Sequence, residues 1–126
     1  MLETSEDVAF LRINVSGDMP VQIPDAIDAY AQISAVASTS GYTRFLIDVR
    51  TAVNRLSIPA IFEYVTLAYP DEPDNTRTAV VELPEFLVGA RFYENMMQSR
   101  GRIFRLFTDE TEALEWLLSD DPCPPR

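Results

Sequence analysis

Histidine is absent from this 126-residue chain, and cysteine occurs once. The missing histidine removes the usual general base, the commonest metal ligand and the readiest proton carrier near neutral pH. Serine or cysteine nucleophiles activated by histidine are excluded with it. A single cysteine, Cys123, excludes an internal disulfide. It stands in "SDDPCPPR", where Asp120 and Asp121 oppose the thiolate that a reactive cysteine needs. Basic side chains are scarce as well: ten against twenty acidic ones, a net charge of −10. Neutralising phosphates takes a basic patch, so no nucleic acid is expected as a partner, and anionic lipid is opposed on the same ground. No apolar run reaches the roughly 18 residues of a membrane span. The opening "MLETSEDV" is acidic and unlike a signal peptide. No stable membrane insertion is expected, and a cytoplasmic location is.

What remains is an ordinary globular composition, 47% hydrophobic, of a length suited to one domain with its own core. The reading places that domain at 1–119 and a flexible, Pro-rich tail at 120–126. "VAFLRINV" (8–15) alternates, with Ala9, Leu11, Ile13 and Val15 on one face, as a half-buried strand does. Residues 2–6 fit a short edge strand beside it, and "SGDMP" a turn. A helix is expected over 24–38, with Pro24 in its first turn, Ala26, Tyr30, Ile33 and Ala37 on its stripe and Gly41 just past its end. "RFLIDV" (44–49) is nearly continuously apolar, as expected of a strand covered on both faces. A helix over about 58–69, the acidic loop "YPDEPDN", a strand "RTAVVEL" (77–83) and a helix over 84–99 follow. The strand "RIFRLF" (102–107) and the helix "TDETEALEWLL" (108–118) complete the order. Ala113, Leu114, Leu117 and Leu118 are read as the inward side of that last helix, and Asp109 with Glu112 as its capping box. Strands alternating with helices argue an α/β fold with a mixed, mostly parallel sheet of four to five strands and about four helices. The direction of the first strand stays open.

Three stretches carry a resemblance: "RFLIDV" with its polar loop and a helix starting at Ser57, the strand "RTAVVEL", and the ending "RIFRLFTDETEALEWLL". Over about positions 8–118 the chain resembles the SpoIIAA-like, STAS-fold proteins related to bacterial anti-sigma-factor antagonists, and more closely their STAS/Sec14-like relatives. The resemblance implies a small cytoplasmic domain without a cofactor. In the antagonists, the helix after this strand opens with Asp-Ser-Ser-Gly or Asp-Ser-Thr-Gly, and the second hydroxyl is phosphorylated. The matching residues here are Leu56, Ser57, Ile58 and Pro59, so an isoleucine holds the acceptor position.

Candidate site residues follow from these placements. Ser57 is read as a helix cap or, alternatively, as a phosphate acceptor. Asp48, Arg50 and Arg55 lie at the carboxyl end of a core strand, where α/β folds bind ligands; they form either an anion site or a local ion pair. Phe92 and Met96 exceed one helical stripe and belong to the core, a dimer interface or an apolar pocket. The acid pairs Asp71/Glu72 and Asp109/Glu110 lack the spacing of a calcium loop and read as solvation and helix-dipole support. No catalytic, cofactor or metal residue is assigned. The expectation is a non-catalytic, STAS-like regulatory module that contacts a protein partner and forms a homodimer. The alternative is binding of a small apolar, lipid-like ligand.

Overall fold

The computed structural model describes residues 2–7, 9–19, 23–68 and 76–119. The loop with Asp71 and Glu72, the tail with Cys123, Val8 and the side chains of Pro24 and Tyr30 lie outside the described residues.

The chain runs β1 (Leu2–Glu6), β2 (Leu11–Gly17), α1 (Ile23–Thr39), β3 (Arg44–Ala52), α2 (Ile58–Ala68), β4 (Arg77–Val81), a 3-10 turn (Pro84–Phe86), α3 (Leu87–Ser99), β5 (Ile103–Phe107) and α4 (Glu110–Leu118). The five strands form one sheet in the order β1-β2-β3-β4-β5. β1 pairs antiparallel with β2, and the other pairs are parallel. The mixed, mostly parallel sheet expected from the sequence is therefore present, with the edge strand at 2–6.

Several expected boundaries move: β3 runs on to Ala52, β4 ends at Val81, α3 starts at Leu87 after a 3-10 turn, and both ends of β2 shift. β2 begins at Leu11 rather than Val8, because the preceding residues turn the β1–β2 hairpin. There the Asp7 carboxylate accepts from the Ala9 N–H at 3.3 Å, and the Asp7 N–H donates to the Phe10 carbonyl at 3.0 Å. Ser16 and Gly17, read as a turn, end the strand, and Gly17 takes a φ of 81° that only glycine adopts without strain.

Sequential parallel strands joined by right-handed crossovers put every connecting helix on one face. α1, α2 and α3 share that face, over the inward side chains Leu11, Ile13, Val15, Phe45 and Ile47. α4, which follows the last strand, covers the other face. Its Ala113, Trp116 and Leu117 pack on Leu46, Ala79 and Val81. Trp116 thus takes the inward place assigned to Leu118, which is 46% exposed. The spacing 113, 116, 117 is one helical stripe, and Leu118 lies a further 100° around. Asp109 caps α4 by accepting from the Thr111 N–H at 3.0 Å.

β5 is an edge strand, and α3 shields it with side chains. The Glu94 carboxylate accepts from the Leu106 N–H at 2.8 Å, and the Gln98 amide donates to the Phe104 carbonyl at 2.7 Å. Two residues one turn apart thereby occupy groups that would otherwise template a foreign strand.

Candidate functional site

Helix α2 starts where the sequence places it. The Ser57 carbonyl accepts from the Ile61 N–H at 2.8 Å, and its Oγ accepts from the Ala60 N–H at 3.3 Å. This is the geometry of an N-cap, which satisfies one of the orphan donors of a first turn. Ile58, in the acceptor position of the resemblance, is exposed, and Pro59 brings no N–H to that turn.

Asp48, Arg50 and Arg55 do not converge. Asp48 and Arg50, two apart on the strand, face α4, and the register shifts beside them. Asn14 pairs with Asp48 but Ser16 pairs with Thr51, so β3 carries one extra residue between them. At this bulge the Asp48 Oδ1 accepts from both the Arg50 N–H and Nε at 3.0 Å, and Oδ2 from Nη2 at 2.8 Å. Two partners complete the group: Arg12, which the sequence reading did not single out, and Glu110, which it read as helix-dipole support. Arg12 on β2 grips Glu110 at the start of α4 with two bonds of 2.8 and 2.9 Å, and Arg50 reaches the same carboxylate at 3.0 Å. Two cations and two anions alternate, and the four charges cancel.

Burial alone would push the Asp48 carboxyl up; bonds from Arg50 and the charges of Arg50 and Arg12 outweigh it and hold its pKa below the ordinary value. The Arg12 bond likewise lowers Glu110, against desolvation. The bond to Glu110 raises Arg12, and the bond to Asp48 raises Arg50. The group fastens α4 to β2 and β3. Within it Asp48 and Arg50 form an ion pair, one of the two arrangements that the sequence reading offered.

Arg55 turns to the opposite face. Its Nε and Nη2 hold Glu82 at 2.7 and 2.8 Å, and its remaining N–H groups reach the carbonyls of Val49 (2.9 Å), Ala52 (2.7 Å) and Asn54 (3.2 Å). The guanidinium stacks on the Phe86 ring, 4.1 Å from its centroid. Glu82 is 3% exposed and also accepts from the Leu83 N–H at 2.8 Å. The signal for Glu82 was in the sequence: an acid directly after the apolar run of β4, at a strand's carboxyl end.

Beside this pair lies a cavity of about 420 Å³ between the sheet and α1, α2 and α3. Small-molecule sites run from roughly 300 to 1,000 Å³. Val15, Ile47, Val80 and Leu106 form its sheet wall, and Ile33, Ile61, Ala90 and Tyr93 its helix wall. Lining residues that are also exposed mark its opening: Asn54, Ser57, Ile58, Glu85 and Val88. The opening thus faces the carboxyl ends of β3 and β4, where ligands bind in open α/β sheets. Phe92 and Met96 are not among the lining residues. Both are part-buried and pack on Ile61, Tyr64 and Val65. Among the described residues no group of acidic or thiol side chains is placed to hold a metal ion, and no helix is long and apolar enough to cross a membrane.

No protein-family model and no curated protein sequence matches the chain. Its structure is similar to that of an anti-sigma factor antagonist from Mycobacterium paratuberculosis, with a TM-score of 0.67, 13% identity and 94% of each chain covered. It is also similar to an uncharacterised protein with a SpoIIAA-like fold from Shewanella loihica, with a TM-score of 0.53 and 18% identity, over 93% of this chain and 92% of the other. At such identities the likeness concerns backbone architecture. The chain has the SpoIIAA-like, STAS-type α/β fold: a five-stranded mixed sheet with three helices on one face and one on the other.

Proposed function

We propose that this chain is a non-catalytic binding module of the STAS type and that its cavity takes a small apolar, lipid-like ligand. The observation that carries the reading is the cavity itself, about 420 Å³ with mainly hydrophobic walls at the carboxyl ends of the strands. A non-catalytic role is supported by how the polar groups are spent. Ser57 caps a helix and has no histidine to activate it. Native mass spectrometry of freshly purified protein tests the proposal. A co-purifying apolar mass, lost on organic extraction, is expected. A clean apo mass, together with no thermal shift from aliphatic alcohols, esters or acids, refutes it.

A second reading, regulation through a protein partner or a second copy in the cytoplasm, is favoured by a group of exposed apolar side chains. Ile58 and Val88 stand at the opening of the cavity, Phe62 lies one turn along α2 from Ile58, and Val53 lies in the loop before it. Scattered exposed hydrophobics need no explanation, but a contiguous group marks an interaction site. A dimer in sedimentation that Phe62→Glu dissociates supports this reading; a wild-type monomer at all concentrations removes the homodimer.

A further inference from the structure

The polar fittings of the cavity bear on the ligand's head group. Three charged side chains line it: Arg55, Glu82 and Glu85. A guanidinium has five N–H bonds to give. All five of Arg55 are engaged, two with Glu82 and one each with the carbonyls of Val49, Ala52 and Asn54, while its face rests on Phe86. The only cation lining the cavity among the described residues therefore has nothing left for a ligand. Glu82 is neutralised by the same contact, which leaves Glu85 as an uncompensated negative charge at the opening.

The N-terminus of α2 also borders the cavity, and helix N-termini ordinarily favour anions. This one has few donors left, the N–H of Ile58 among them. Pro59 has no N–H, and the Ala60 N–H is taken by Ser57 Oγ. The hydroxyl of Ser57 can still donate its own proton to a neutral oxygen, because its bond to Ala60 uses it as an acceptor.

Resting on the apolar-ligand reading, we infer that the cavity selects an uncharged amphiphile, an aliphatic chain ending in a hydroxyl, ester or ketone oxygen, and rejects the corresponding carboxylate. An ionised acid entering here gives up part of its water, meets no free cation among the described residues and faces the negative charge of Glu85 at the same opening. A buried charge without a partner is strongly unfavourable. A neutral oxygen loses far less and regains a hydrogen bond from Ser57.

Isothermal titration with 1-decanol and with sodium decanoate at pH 8, below micellar concentrations, tests the inference. Decanol is expected to bind at least tenfold more tightly than decanoate. Ala90→Phe on the helix wall, which fills the cavity, should abolish decanol binding without lowering Tm. Should that variant not fold, Val80→Leu on the sheet wall makes the same test with a smaller loss. Equal or tighter binding of decanoate overturns the charge selection and leaves the ligand reading intact. Decanol binding that survives both filled cavities places the ligand elsewhere and overturns the inference. Binding of neither compound defeats the ligand reading and this inference with it.

Discussion

Arg55→Met makes the sharpest test of the packing beside the cavity. The Arg55 side chain is 18% exposed and its partner Glu82 only 4%. Removing the guanidinium leaves a carboxylate with the Leu83 N–H as its remaining bond. Two charge-assisted bonds are lost, each worth about 1.5–3 kcal/mol, along with the contact on Phe86. Breaking a buried pair from one side costs about 3–5 kcal/mol, and that range is expected here in urea unfolding at pH 7. The reverse change is milder. In Glu82→Met the guanidinium keeps three carbonyl acceptors and partial access to water, so about 1–3 kcal/mol is expected. The double variant Arg55→Met/Glu82→Met has no buried charge left and should regain stability relative to Arg55→Met alone, a coupling of roughly 2 kcal/mol or more in the cycle. A double variant that melts at or below Arg55→Met would refute the reasoning, since it would mean that the arginine acts through its stem and not through the carboxylate.

The remaining expectations concern the other elements. Leu117→Ala empties a fully buried site and should cost about 2–5 kcal/mol, whereas Leu118→Ala, on the exposed side, should stay within about 0.5 kcal/mol; equal costs in urea melts would show that α4 is rotated. Ser57→Ala should cost about 1 kcal/mol as a lost cap, and the wild-type chain should acquire no phosphate from an anti-sigma-type kinase with ATP, as intact-mass measurement checks. Replacing Phe92 and Met96 together by Glu should abolish the far-ultraviolet circular dichroism, because both pack on Ile61, Tyr64 and Val65; a folded monomer from a dimeric parent would return them to an interface. The depressed carboxyls Asp48 and Glu110 contribute stability that is present above their ordinary pKa, roughly 4, and is lost as pH falls through their lower folded values. Arg12→Gln should therefore flatten the loss of stability below about pH 4.5; an unchanged slope would exclude the Arg12–Glu110 pair as its source.

How much of this was legible depends on whether the cause is local. Helix α2 and its cap were readable because Ser57, Ile58, Ile61 and Val65 act within three turns of chain. The two-sided burial of β3 was readable from "RFLIDV", whose adjacent Phe45 and Leu46 are both buried. The start of β2 was misplaced because an alternating pattern cannot show that Asp7 ties off the hairpin. Partner choice was the least legible. Asp48 and Arg50 are two residues apart, but Arg12 and Glu110 join them only through strand pairing and the return of α4. Arg55 and Glu82 stand 27 positions apart and meet because β3 and β4 are neighbours. Glu94 left a trace: an acid on the same helical stripe as Ala90 and Met97, with Gln98 one turn on. Such an acid needs a buried donor, and the open edge of β5 supplies it.

The N-terminus of α2 connects the sequence resemblance to the cavity. A phosphate switch at this point needs a hydroxyl in the first turn and free backbone donors to receive the charge. This chain has Ile58 and Pro59 in those positions, and its cap occupies the Ala60 N–H. The same residues supply apolar surface at the opening of the cavity, where Ile58 and Val88 are exposed. Arg55, the nearby cation, is consumed by Glu82 and three carbonyls. The proposed weak anion affinity and the apolar opening thus both rest on one short stretch, Arg55 to Pro59. A substitution series in that stretch would move both properties together. Ile58→Ser with Pro59→Gly should add a side-chain hydroxyl and one backbone N–H and, by the same change, remove apolar surface from the opening.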